Sequence, residues 1–260
     1  MKIAISGKGG VGKTMLAALL AREFVQHDFH VLAIDADPDA NLASTLGFPH
    51  PEEIIPISEM KELIEERTGA KIGQSGSFYV LNPKVDDIPE KYAKSLDGIR
   101  LMVMGRVKRG GGGCYCPENS LVQTLMAHLL VARNEVVILD MAAGIEHLGR
   151  ATAQAVEKFI VVVEPGRKSV ETALQVKKLA ADMGVKLTLA VGNKVRSEAD
   201  QTFLRSRLPD FEFLGFIPYD SAITDAEISN NLAINSSPAV LKEVHQIYQR
   251  LTNSPKPGST

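Results

Sequence analysis

The chain has 260 residues, 45% of them hydrophobic, and its 29 basic and 31 acidic residues leave a formal net charge of −2. That balance suits a large α/β core and argues against a broadly basic nucleic-acid surface. Two cysteines exclude a disulfide framework of the secreted kind, no apolar run is long enough to span a membrane, and M-K-I-A-I-S-G-K-G-G breaks into glycines too early for a leader; the expected setting is cytoplasmic, with neither nucleic acid nor membrane as partner.

In chain order, β-rich runs fall at 2–6, 30–35, 77–82, 99–105, 135–140, 158–164, 186–193 and 211–218. Apolar residues at helical spacing fall at 13–27, 120–133, 170–184 and 239–251. Residues 49–76 read as a polar surface helix followed by a G-Q-S-G-S loop. Strands apolar on both faces and alternating with helices predict an α/β fold, with a mostly parallel central sheet flanked by helices on both faces. One domain is expected over 1–252, and a disordered tail over 253–260.

G-K-G-G-V-G-K-T (7–14) follows the first strand and opens the first helix, the context that gives a P-loop its meaning. Gly7, Gly9, Gly10 and Gly12, with Lys8 and Val11 between them, let backbone N–H groups converge on phosphate oxygens at a helix N-terminus. Lys13 is expected to reach the β- and γ-phosphates, and Thr14 to hold Mg²⁺. A-I-D-A-D-P-D-A-N-L ends the second strand with clustered carboxylates, at the edge where open α/β sheets bind ligands. Asp39 is expected to cap the helix that follows. V-V-I-L-D ends another strand at Asp140, the Walker-B position for Mg²⁺. A late strand ends in Asn193–Lys194, but Arg196 stands where a guanine site needs an acidic acceptor. Asn193 can both donate to and accept from adenine, so ATP is the expected nucleotide.

Lys8 inside the octet resembles the deviant lysine of the MinD/ParA/nitrogenase-iron-protein group of dimeric P-loop ATPases, which belong to the SIMIBI class of P-loop NTPases. The resemblance implies a homodimer in which Lys8 touches nucleotide across the two-fold axis. It also implies Lys8, Lys13 and Asp37 as catalytic residues, Asp37 positioning the attacking water. Asp35 then assists Thr14 and Asp140 at Mg²⁺, the D-x-x-x-G from Asp140 to Gly144 is a second switch, and Pro218 lies beside adenine with Asn193 and Lys194.

The two cysteines, Cys114 and Cys116, follow four glycines and make a poor disulfide with each other. A two-fold dimer would bring four thiolates together, enough for Zn²⁺ in a tetrahedral or Ni²⁺ in a flatter site shared at the interface. Pro117 and Glu118 would start a helix whose dipole keeps the thiolates anionic. Isolated cysteines are often small buried residues, but glycine, tyrosine and proline flank these two, which favours metal. His128 and His147 are weighed as further ligands and read as ordinary histidines. Together with D-A-D-P-D-A-N-L and D-M-A-A-G-I-E-H-L-G-R, the C-Y-C motif resembles the CooC-type nickel-insertion ATPases of carbon monoxide dehydrogenase over essentially the whole chain. That resemblance implies ATP/ADP, Mg²⁺ and Ni²⁺ or Zn²⁺ as cofactors or cargo, and carbon monoxide dehydrogenase as client. It departs at Ala142, where that group commonly carries an acidic residue. Two other functions compete: an ATP-driven electron carrier with a [4Fe–4S] cluster, which needs well-separated cysteines, and a positioning ATPase, which needs a basic amphipathic C-terminal helix.

Overall fold

Side chains of successive strand residues point to opposite faces of a sheet. Ile3 and Ile5 of the first strand therefore join one buried cluster, while Ala4 between them joins another. The second strand divides in the same way, Ala33 to one cluster and Leu32 and Ile34 to the other. A sheet apolar on both faces has to be covered on both.

The computed structural model describes residues 1–71, 78–105, 116–144, 148–229 and 231–253. Its elements run β1 (Lys2–Gly7), α1 (Lys13–Gln26), β2 (Val31–Ala36), α2 (Leu42–Leu46), α3 (Lys61–Thr68), α4 (Ile88–Tyr92), β3 (Lys94–Leu96), β4 (Ile99–Val103), α5 (Pro117–Val131) and β5 (Val136–Met141). They continue α6 (Arg150–Gln154), β6 (Lys158–Val163), α7 (Arg167–Asp182), β7 (Thr188–Val195), α8 (Glu198–Arg207), β8 (Glu212–Pro218), α9 (Ser221–Ile228) and α10 (Pro238–Asn253). The strands form one sheet in the order β3-β4-β2-β5-β1-β6-β7-β8, parallel throughout except for β3 against β4. Residues from α1, α2 and α10 cover one face, and residues from α3, α5, α6, α7 and α8 the other. The expected mostly parallel sheet between two helical layers is the fold observed. Burying Leu16, Leu20 and Phe24 of α1 completely anchors that helix under the sheet.

Three local expectations are corrected. Residues 78–82 form no strand: Phe78 is 99% exposed, and Val80 donates a single backbone hydrogen bond, to Thr68. The edge strand is β3 instead, folded onto β4 by Asp97 and Gly98. Both turn residues have positive φ (48° and 81°), as a two-residue hairpin of type I′ requires. In 49–71, two 3-10 turns precede α3, whose Leu63 and Ile64 are buried beneath α5, so this helix is half core. Ser77 and the rest of the G-Q-S-G-S loop, and tail residues 254–260, lie outside the described residues, while Asn253 closes α10.

Candidate functional site

Because the strands are parallel, the segments after β1, β2, β4, β5, β7 and β8 leave the sheet at one edge. The glycine loop follows β1, and its backbone is dictated by crowding. A Cβ on Gly7 (φ 144°) would lie 2.3 Å from the carbonyl oxygen of Val162, and one on Gly12 (φ 94°) 2.3 Å from Asn193 Nδ2. Around Gly9 and Gly10 there is open space, where the loop faces the cavity. Gly12 is the N-cap of α1, Val11 is buried beneath the loop, and Lys13 begins the helix with Nζ 3.4 Å from the carbonyl oxygen of Lys8.

The end of β7 grips this loop. Asn193 Nδ2 donates to the Val11 carbonyl at 2.7 Å, and Oδ1 accepts from the Lys194 N–H at 2.9 Å. Lys194, in the left-handed region at φ 56°, turns back so that Nζ donates to the Gly10 carbonyl at 2.6 Å. Glu164, just past β6, takes Lys8 Nζ at 3.1 Å and has Lys194 Nζ at 3.7 Å. Neither Glu164 nor this double grip was read from the sequence, since Glu164, unlike Asp35 and Asp140, is followed by neither a second carboxylate nor a D-x-x-x-G spacing.

The carboxylates are set by register. Asp35 of β2 lies directly opposite Asp140 of β5, and both are fully buried. Desolvation pushes Asp140 up to about 7, against the pull of the Thr14 hydroxyl, with Asp35 also raising it and Lys13 lowering it. Thr14 is near enough to be felt but makes no well-formed hydrogen bond, so both carboxylate oxygens of Asp140 are buried without a partner. Desolvation likewise pushes Asp35 up to about 6, moderated by the backbone N–H groups of Leu42 and Asp37. Its Oδ2 accepts from Leu42 N at 2.8 Å, at the start of α2. The N-cap position of α2 is Asn41, which makes no side-chain capping bond, and the carboxylate that takes the helix's first N–H is Asp35. Asp39 was expected there, but it is exposed, and its own N–H donates to Asp37 Oδ1 at 3.1 Å.

A cavity of about 700 Å³ opens over the loop, and Gly9, Gly12, Lys13, Thr14 and Asp37 line it. Asn193, Lys194 and Pro218 line its far side, so the separated motifs come together at one hollow. Tyr219 joins them, and the guanidinium of Arg196 lies over its ring at 4.7 Å. Arg196, at the position of the missing guanine acceptor, thus props an aromatic wall.

Two more connections reach this edge. Buried Ser6 donates through Oγ to the Ala142 and Gly144 carbonyls at 3.0 and 3.2 Å, and the Gly144 N–H donates back at 3.2 Å. This ties the segment after Asp140 to β1, and a serine inside a strand gave no warning of it. Beyond β4, the Met104 N–H donates to the Asp35 carbonyl at 2.8 Å, just before the chain enters the cysteine segment. That segment returns at Cys116, the half-buried N-cap of α5, with Pro117 and Glu118 in the first turn. Cys114 and His147 lie outside the described residues. His128 sits about 18 Å along α5 from Cys116, at 1.5 Å rise per residue, which separates the two within one chain.

Residues 2–233 match the CobQ/CobB/MinD/ParA nucleotide-binding domain. The chain belongs to this family. All of the cavity residues named above fall inside the matched span, and α10 lies beyond it. Within the family, the chain is 46% identical over 253 residues to the carbon monoxide dehydrogenase accessory protein CooC of Rhodospirillum rubrum, covering 96% of each chain. It is 45% identical to an uncharacterised ATP-binding protein of Methanocaldococcus jannaschii, over 95% of this chain and 96% of that one. Solved members share the fold at low identity. The cell division protein MinD of Aquifex aeolicus superposes with a TM-score of 0.66 at 21% identity, covering 98% of both chains. A ParA family ATPase of Chlorobium tepidum gives 0.69 at 17%, covering 95% of this chain and 98% of that one.

Proposed function

We propose that the protein is a Mg²⁺-dependent ATPase that closes as a homodimer and uses ATP to assist nickel insertion into carbon monoxide dehydrogenase. The observation that carries this reading is one of placement. Supporting it, the described chain after β4 leaves the sheet at the same edge as the glycine loop and the paired aspartates, with the Met104 N–H bonded to the Asp35 carbonyl, and Cys116 stands at the N-cap of α5. The relationship to a carbon monoxide dehydrogenase accessory protein supplies the client.

The chain's own groups define the chemistry. N–H groups of Gly9 to Thr14, the N-terminus of α1 and Lys13 hold the phosphates. Asp37 orients a water toward the γ-phosphorus; the new P–O bond forms as the bond to the β-phosphate oxygen breaks, and ADP leaves. Pro218 and Tyr219 flank the base, and Asn193, with one N–H beyond its bond to Val11, reads adenine. The partnerless, buried oxygens of Asp140 beside Thr14 and Asp35 fit a hydrated Mg²⁺. When bound, Mg²⁺ neutralises charge on the β- and γ-phosphates. Lys8 leaves Glu164 to reach the nucleotide of the other subunit. Cys114 and Cys116 of both subunits hold nickel, or zinc in its place, and opening the dimer releases it.

The rival readings draw less support. The apolar face of α10 is packed against α1 through Val244, Ile247 and Tyr248, which argues against its use as a membrane anchor, and no described helix is long and apolar enough to cross a membrane. The test combines ATP turnover, anaerobic nickel analysis with and without nucleotide, and activation of nickel-free carbon monoxide dehydrogenase. Asp37→Asn should bind ATP without turnover, and Cys114→Ala/Cys116→Ala should hydrolyse ATP without activating the client. Activation by the cysteine variant at the wild-type rate would reject the reading.

A further inference from the structure

The opposite end of α1 holds a cluster with no part in the site above. Glu23 and His27 lie one helical turn apart, where side chains at i and i+4 share a face. His245 meets them from α10, with Nδ1 2.9 Å from Glu23 Oε2. One carboxylate oxygen and one nitrogen from each ring all lie within 4.8 Å of one another. Tyr248 stacks on His27 with centroids 4.4 Å apart, and the two imidazoles are nearly parallel at 5.8 Å.

The hydrogen bonds fix which nitrogens carry lone pairs. His27 Nδ1 lies 2.8 Å from the main-chain carbonyl of Glu23. A carbonyl only accepts, so Nδ1 bears the proton and Nε2 of the neutral ring is a bare donor atom. Metal-binding histidines are commonly oriented in this way, by an outer partner on the second nitrogen. His245 is bracketed by Glu23 at Nδ1 and by the Gln249 amide, 2.9 Å from Nε2. Moving its proton from Nδ1 to Nε2 and turning the Gln249 amide leaves Nδ1 bare and Nε2–H still bonded, with no net change of protons.

We infer that Glu23, His27 and His245 form a second metal site, for a first-row divalent ion such as Zn²⁺, built from two imidazoles and a carboxylate and separate from the cysteines. Three protein ligands leave a fourth position for water, the pattern of an open, exchangeable site. Bond lengths of about 2.0–2.2 Å require the ligand atoms to close to roughly 3.4 Å of one another. The movement falls to the exposed His27, whose ring must turn on Tyr248 about its bond to the Glu23 carbonyl, while the Glu23 carboxylate is held between the helices. Residues 13–22 of α1 separate Glu23 from the glycine loop, about 16 Å at roughly 1.5 Å rise per residue, so a metal here cannot touch nucleotide. It would instead fasten α10 to α1. The inference does not depend on the nickel-insertion reading.

The test uses the full chain without nucleotide, in the Cys114→Ala/Cys116→Ala background that removes the thiolates. Titration with Zn²⁺ should give one ion per chain and raise Tm, because the ion binds only the folded form. Adding His27→Ala should weaken binding at least tenfold and abolish the Tm rise, while ATP affinity stays unchanged as the check on folding; Glu23→Gln should act in the same direction. Co²⁺ in the same background should show weak ligand-field bands without thiolate charge transfer. No saturable Zn²⁺ binding, or binding indifferent to His27→Ala, overturns the inference. It then leaves the three residues as a purely structural clasp.

Discussion

Asp35 and Asp140 face each other across neighbouring parallel strands, both fully buried and both raised in pKa. Neither carboxylate oxygen of Asp140 has a hydrogen-bond partner, and the pull of Lys13 and Thr14 does not offset its desolvation. Two carboxylates held opposite each other at a buried sheet edge cost free energy whenever both ionise, and a bound cation would offset that cost.

Stability of the nucleotide-free protein should therefore fall as pH rises. Both groups ionise near 3.8 when unfolded, but at about 6 and about 7 in the fold. Between those limits the native state binds more protons than the unfolded chain, so the stability present below pH 4 is lost by the time pH passes 7. Asp140→Asn removes the larger part. Its thermal unfolding profile from pH 5 to 8, without metal or nucleotide, should be flatter than that of the wild type and higher at pH 8. Parallel profiles would show that this pair carries no net ionisation cost.

The sequence made these aspartates visible because each ends an apolar strand, and the octet 7–14 because its spacing encodes a local backbone path. What it concealed is mostly long-range. Ser6 meets Gly144 across 138 positions, and Glu23 meets His245 across 222. Such pairs depend on the order of strands and the packing of helices, which composition and periodicity do not carry. Two misses were local and readable. Asp97–Gly98 is a strong hairpin signal, passed over because the strand before it has three residues and is mostly polar. Residues 78–82 have strand composition but form no ladder, and β propensity does not form a strand alone.

Asn193 should matter through the loop it grips as well as through the base. Asn193→Ala leaves the Val11 carbonyl without its donor and opens space beside Gly12. One such hydrogen bond is worth about 0.5–1.5 kcal/mol net. The variant should lose a few degrees of Tm without ligand, and the KM for ATP should rise several-fold with a smaller change in kcat. A lower kcat at unchanged KM would place Asn193 in the chemical step instead.

Lys8 is engaged by its own Glu164 in the single chain. Reaching a second subunit means exchanging that partner for phosphate. Glu164→Gln should weaken the hold on Lys8, and a slowly hydrolysed ATP analogue should then drive dimerisation at lower protein concentration, as read by light scattering. Lys8→Ala should bind the analogue and remain monomeric. If Glu164→Gln instead dimerised less readily than wild type, Glu164 would be a supporting residue for the closed state.

The cysteine site is a matter of counting. Zinc in a thiolate site takes four ligands, and each chain offers Cys114 and Cys116 alone, so one ion should bridge two chains. The count has to be made in His27→Ala protein, so that the cluster at the far end of α1 adds nothing. Anaerobic metal analysis should there give about half an ion per chain, for four thiolate ligands around one ion. Cys114→Ala or Cys116→Ala should bring it to background. Because the ion links two folded subunits, it should promote dimers without ATP, and chelation should reverse this. Acidification should release metal as the thiolates take up protons. ATP binding should survive either cysteine substitution, since the glycine loop leaves β1, which β2 and β5 separate from β4. A full ion per chain that persists without the cysteines would mean that C-Y-C is only the loop between β4 and α5.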